Sequence, residues 1–124
     1  MPQLDWEPLE FLELLGVAPK EEEFGTLYEY TLERGQFRLE LKVWPLDSDI
    51  ELKFYCAGQS EPVLNLNLLG CPGARVVDDK RGLFIEFAGA NMFVGRFDRT
   101  APAPYGFRLQ VDPFIQVTPY SYNA

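Results

Sequence analysis

Histidine is absent from the 124 residues. Its absence removes the commonest general base near neutral pH, the Ser-His and Cys-His nucleophile pairs, and most zinc and transition-metal sites. There are only two cysteines, Cys56 and Cys71. In a chain long enough to bury its own core, such a pair is expected to be reduced, with Cys56 serving as a small buried hydrophobe. No run approaches the roughly 18 apolar residues needed to span a bilayer, and Met1–Glu10 carries acids where a signal peptide carries bases. The expectation is a cytoplasmic protein. Bases are scarce as well, 11 Lys and Arg against 19 Asp and Glu, for a net charge of −8. Nucleic acid and anionic membrane both demand a concentrated basic surface, so neither is expected as a partner.

The glycines form neither a GxGxxG nor a GxxxxGK[ST] pattern, so no phosphate cradle and no cofactor is expected. Asp47 and Asp49, and the adjacent Asp78 and Asp79, read as turn-forming aspartates, because neither pair extends into a calcium-loop pattern. No metal site is expected. Glu40, Glu51 and Glu86 alternate with apolar residues and are expected on a solvated face, which leaves no buried carboxylate pair for glycosidase-like chemistry. The balance is against an enzyme.

The chain does hold enough apolar material for a core, 47% hydrophobic and 15% aromatic, which excludes intrinsic disorder. Its length fits one domain over 1–124. Three parts are distinguished within it: an acidic helical segment 1–23, a β-sheet body 24–118 and a tail 119–124. Eight carboxylates lie in the first thirty residues against a single base, Lys20, so that segment carries seven of the eight net negative charges.

Trp6–Gly16 reads as a short helix capped by Asp5, with Glu7 and Pro8 in its first turn and Gly16 just past its last. Leu9 and Leu12, with Phe11 and Leu15, form the apolar face; Glu10 and Glu13 occupy the wetter side. Val17–Glu23 follows as a linker whose three adjacent glutamates repel one another and face solvent. From Phe24 the period changes to two. Phe24, Thr26, Tyr28, Tyr30 and Leu32 alternate up to a hairpin at Arg34-Gly35; Phe37, Leu39, Leu41 and Val43 form the next row, then Ile50, Leu52, Phe54 and Cys56. Leu64, Leu66 and Leu68 alternate with Asn65 and Asn67. Short strands are also expected at 75–77, 83–88, 92–97, 107–111 and 114–118, with a proline-bearing loop over 98–106.

The count is eight or nine short, mostly antiparallel strands after one short helix, a mainly β (α+β) meander that forms a strongly curled sheet, a barrel or a sandwich. The leading functional expectation is a non-catalytic protein-binding module, an immunity-type inhibitor or adaptor for a basic protein. Its candidate contacts are Glu10, Glu13, Glu21, Glu22 and Glu23 for steering, and Trp6, Trp44 and Tyr105 as aromatic anchors. Arg96 and Arg99, flanking Asp98, and the Asn65/Asn67 pair are candidate ligand or anion contacts. Two alternatives stand beside it. One is a small-ligand-binding β-barrel lined by Tyr28, Leu41, Phe54, Leu66, Ile85 and Leu109; the other is a structural protein that oligomerises through a sheet edge.

Overall fold

The computed structural model describes residues 4–71, 73–80, 82–87, 105–112 and 114–121. Helix α1 spans Pro8–Leu15, and nine strands follow among the described residues: β1 (Lys20–Glu21), β2 (Tyr28–Arg34), β3 (Phe37–Trp44), β4 (Asp49–Cys56), β5 (Leu64–Leu68), β6 (Ala74–Asp79), β7 (Gly82–Phe87), β8 (Tyr105–Gln110) and β9 (Gln116–Ser121). They form two antiparallel sheets, ordered β1-β2-β3-β4-β5 and β6-β7-β8-β9. Within each sheet the described strands pair in chain order, and the chain passes from the first sheet to the second between β5 and β6. Neither sheet closes, so no barrel is formed. Two open sheets sharing one core are nearest the sandwich among the three expected forms.

The helix obeys local rules with one substitution of role. The Glu7 side chain, and not Asp5, caps the N-terminus by accepting from the Leu9 N–H at 3.2 Å. Asp5 instead forms a parallel bridge with Gly73, and its carbonyl accepts from the Ala74 N–H at 3.0 Å. Gly16 ends the helix at φ 73°, a left-handed conformation that costs little without a Cβ. The buried face is Phe11, Leu14 and Leu15, whereas Leu9 is 58% exposed. The helix packs beside β6 and β7, and that contact selects the face.

Strands β2 to β4 follow the expected alternation closely. Leu39, Leu41 and Val43 on β3 and Ile50 and Leu52 on β4 are buried, and Leu41 lies between Tyr30 and Leu52. They join Phe11, Leu14 and Leu15 from the helix and Ala74, Ile85, Phe87 and Leu109 from the second sheet in one apolar cluster. Each such side chain contributes about 1.5–3 kcal/mol on burial. Leu41, Ile85 and Leu109 are fully buried, with Tyr28, Phe54 and Leu66 packed against the same cluster. The six residues expected to line a ligand cavity fill the interior instead.

Several local expectations are corrected. Phe24 does not begin a strand: Glu23–Gly25 is a single 3-10 turn, and β2 starts at Tyr28. Cys56 sits on the inward row but at the last position of β4, and is only partly buried; Cys71 is the buried cysteine, and both are free. Glu86 is fully buried, not solvated. The last strand runs to Ser121, into the segment expected to be a tail. The strand expected over 92–97 lies outside the described residues.

Candidate partner-binding surface

Antiparallel register determines which charges meet on the outer face of the first sheet. One row runs Glu29, Lys42, Glu51, Asn67; the next runs Thr31, Glu40, Lys53, Asn65. Signs alternate along both rows, and the neighbours pair: Lys42 Nζ to Glu29 Oε1 at 3.6 Å, Lys53 Nζ to Glu51 Oε1 at 3.6 Å, Arg38 Nε to Glu40 Oε2 at 3.5 Å. Tyr55 donates its hydroxyl to Glu40 at 3.2 Å while the Arg38 guanidinium lies 4.2 Å above its ring. This face is self-neutralised and presents little net charge to a partner.

One end of the same sheet departs from that pattern. The row Glu21, Tyr28, Val43, Ile50, Leu68 brings the start of β2, the end of β3, the start of β4 and the end of β5 to one side. Beyond it stand Glu22, whose N–H donates to the Leu27 carbonyl at 2.9 Å, and Trp44, which pairs with Asp49. Glu21, Glu22 and Glu23 are all exposed. Trp44, Asp47, Asp49, Glu51, Asn67 and Leu69 line a cleft of about 230 Å³ at this end. Asp49 is partly engaged, accepting the Gly70 N–H at 3.1 Å; Asp47 is exposed. Four strand spacings of about 4.8 Å separate β1 from β5, so the acids and Trp44 share a patch roughly 20 Å across.

Phe24 projects from this acidic end. It is 93% exposed and held at φ 61°, ψ 22°, followed by Gly25 at φ 65°. A bulky side chain in the left-handed region costs on the order of 1–2 kcal/mol. The sequence places Phe24 in the alternating row, where it counts as core, and so hides it as a surface group. The signal that it is not is the Phe-Gly step after three glutamates, where two left-handed residues turn the chain before β2.

The remaining expected contacts are dispersed. Trp6 packs inward, edge-on to Phe11 at 4.9 Å and to Tyr28 at 5.0 Å, so its ring is committed to the core. Glu10 is half-buried and Glu13 exposed on α1, a separate element. Asn65 and Asn67 are exposed and joined by a 3.4 Å hydrogen bond, on a wet face as expected. Tyr105 opens β8; its side chain, and Arg96 and Arg99, lie outside the described residues.

A second polar constellation escaped the sequence reading. On the second sheet Arg75, Glu86 and Arg108 fall in one row. Arg75 Nε reaches Glu86 Oε2 at 3.3 Å and Arg108 Nε reaches Oε1 at 3.4 Å, so both carboxylate oxygens are engaged from opposite sides. The Arg108 guanidinium also lies 5.2 Å from the Phe84 ring. The arginines lie 11 and 22 residues away from Glu86 in sequence, too far for any local pattern to reveal them. A carboxylate held this way ties β6, β7 and β8 together across the sheet.

No protein-family model matches the sequence, and no curated protein matches it. Among solved structures, a chain of the contact-dependent growth inhibition toxin–immunity protein complex from Klebsiella pneumoniae 342 is similar in fold, with a TM-score of 0.74 at 12% identity, over 98% of this chain and 100% of that one. At that identity the likeness establishes the fold.

Proposed function

We propose that this chain is a non-catalytic protein-binding inhibitor of the immunity type, and that its partner is a basic protein. The observation that carries the reading is the full-length fold likeness to a chain of a toxin–immunity protein complex. Within such a pair, the composition favours the immunity role: there is no histidine, and the charge is −8. An acidic protein repels nucleic acid and attracts a basic enzyme.

The acidic end of the first sheet is the docking surface in this reading. Glu21, Glu22, Glu23 and Asp47 steer the encounter. Phe24 and Trp44 supply the apolar anchors, because aromatic side chains carry a disproportionate share of interface energy. Phe24 fits that role best. It is already exposed, and its backbone fixes the direction of the Cα–Cβ bond, so little backbone ordering remains at the moment of binding.

The test is capture from native extract of the source cells by the intact chain, beside two variants whose folding is checked by circular dichroism. The captured basic protein is expected to inhibit growth when expressed alone and to be neutralised by co-expression of this chain. Replacing Glu21, Glu22 and Glu23 with Gln should slow association and flatten its salt dependence. Phe24→Ala should speed dissociation by about thirtyfold, equivalent to roughly 2 kcal/mol. Capture of a partner whose growth effect this chain does not alter would overturn the inhibitory reading; equal binding by both variants would overturn the surface.

A further inference from the structure

Among the described residues the two sheets present four edges, and the sequence treats one of them differently. The β1 edge is two charged residues long, the β6 edge ends in Asp78-Asp79, and the β9 edge contains Pro119. Charge, brevity and proline are the usual devices that keep an edge from pairing with another chain. Strand β5, Leu-Asn-Leu-Asn-Leu, has none of them. It is an uncharged edge on a molecule of net charge −8.

The segment around β5 is also self-complementary. Read from Leu66 outward in either direction it gives Asn65 and Asn67, then Leu64 and Leu68, then Val63 and Leu69. An antiparallel pair of two such strands about a two-fold axis at Leu66 therefore sets Asn65 against Asn67 of the second copy, Leu64 against Leu68, and Val63 against Leu69. Every pair differs by an even number of residues, so inner side chains meet inner ones and outer meet outer, and the edge-facing amides and carbonyls of Asn65 and Asn67 meet each other. Val63, whose N–H donates to the Phe54 carbonyl at 2.8 Å, and Leu69 lie just beyond the strand and contribute side chains only. Val63 and Leu69 are 52% and 65% exposed within one chain. In this register their side chains fall at the two ends of the strand pair, flanking a cluster of four asparagines.

Charge is compatible with the same register. Behind Asn67 stands Glu51 and behind Asn65 stands Lys53. Each outer row across the axis then runs Glu51, Asn67, Asn65, Lys53, with opposite signs at its two ends and no like charges opposed. We infer that β5 is a homodimerisation edge, at which two copies of this chain join their first sheets into one continuous ten-stranded sheet. A single strand pair is small beside the about 1,200–2,000 Å² of a standard stable interface, so the dimer is reversible and concentration-dependent. The inference does not depend on the proposed inhibitory role.

Sedimentation velocity on the full chain from micromolar to millimolar concentration measures it. A monomer–dimer equilibrium is expected, and the double variant Val63→Lys/Leu69→Lys should weaken it by at least about tenfold by setting like charges against one another. Both positions are exposed, and a thermal midpoint close to that of the parent confirms that the variant is folded. Register is read separately in a Cys56→Ser background by mixing Asn65→Cys and Asn67→Cys chains under mild oxidation. Opposed residues lie about 4.5–5.5 Å apart at Cα, within disulfide reach, so the mixed species should cross-link faster than either chain alone. A chain that stays monomeric at millimolar concentration, a dimer unaffected by the two lysines, or cross-linking without preference for the mixed pair would each overturn the assignment.

Discussion

Glu86→Gln is the most discriminating single perturbation of the fold, because it preserves shape while deleting one charge. In the parent, Glu86 is fully buried and lies between Arg75 and Arg108, whose side chains are 20% and 17% exposed. Removing one member of a buried ion pair costs about 3–5 kcal/mol, since the partner charge is left uncompensated. Both arginines retain some access to water, which places the expected loss at the lower end, about 3 kcal/mol. For a domain whose whole stability is about 5–15 kcal/mol that is a large fraction. With a urea slope of about 1.5 kcal/mol per molar, the unfolding midpoint should fall by about 2 M. The control is Glu29→Gln, which breaks an ion pair of similar length in which both side chains are 29% exposed. That change should cost about 0–1 kcal/mol and shrink with added salt. Replacing all three members, as Arg75→Met/Glu86→Leu/Arg108→Met, should recover much of the loss, because an apolar trio leaves no charge buried. The reasoning fails if Glu86→Gln costs under about 1 kcal/mol, or no more than Glu29→Gln.

Tyr30 is fully buried, and among the described residues its hydroxyl has no hydrogen-bond partner. Tyr30→Phe should therefore be neutral or stabilising by about 1 kcal/mol in urea melts. Burial, with smaller contributions from Tyr28 and Glu21, pushes the Tyr30 hydroxyl far above its ordinary ionisation range. Its contribution to stability is complete below the unfolded value, near pH ~10, and is lost as pH rises beyond it; alkaline melts of Tyr30→Phe should show a shallower decline than the parent. Phe24→Gly removes a left-handed bulky residue that buries almost nothing, so the thermal midpoint should rise, by roughly 3 °C for about 0.5–1 kcal/mol, while the proposed partner contact is weakened. Leu15→Ala, in contrast, empties a fully buried site and should cost about 2–5 kcal/mol, read as a lower urea midpoint at unchanged slope.

The alternation of β3 and β4 was legible because each strand has one buried and one solvated face, and Arg38, Glu40 and Lys42 mark the solvated one without ambiguity. The same reasoning failed at Glu86, where the strand is covered on both faces: Phe84 and Glu86 are as buried as Ile85 and Phe87. Period two reports which residues share a face; it does not report whether that face meets water. Which helix face is buried was likewise beyond local pattern. Leu9 and Leu14 are equally apolar, and the contact with β6 and β7 chooses between them. Of the candidate site, the acidic charge and Trp44 were visible in sequence. Their assembly was not, because it depends on the register of five strands, and Phe24 was absorbed into a row it does not join.

The first sheet neutralises its charges wherever its register permits, along Glu29–Lys42–Glu51 and along Glu40–Lys53. Its acidic end therefore departs from a rule that the rest of the sheet obeys. Glu21, Glu22 and Glu23 repel one another, Asp47 adds to the same field, and Phe24 exposes a ring from a strained backbone. Each of these features costs folding free energy, and nothing in the fold requires them: a lysine among the three glutamates or a glycine at position 24 would satisfy the same turn. Local departures that are tolerated without structural return are where function is expected to reside. The Arg75–Glu86–Arg108 row is a different kind of departure, since its one buried carboxylate is held by two arginines and the row as a whole is left positive. Glu21, Glu22, Glu23 and Asp47 are exposed acids on one end of the first sheet, and that distinction favours this end over the arginine-bearing row of the second sheet as the proposed contact surface.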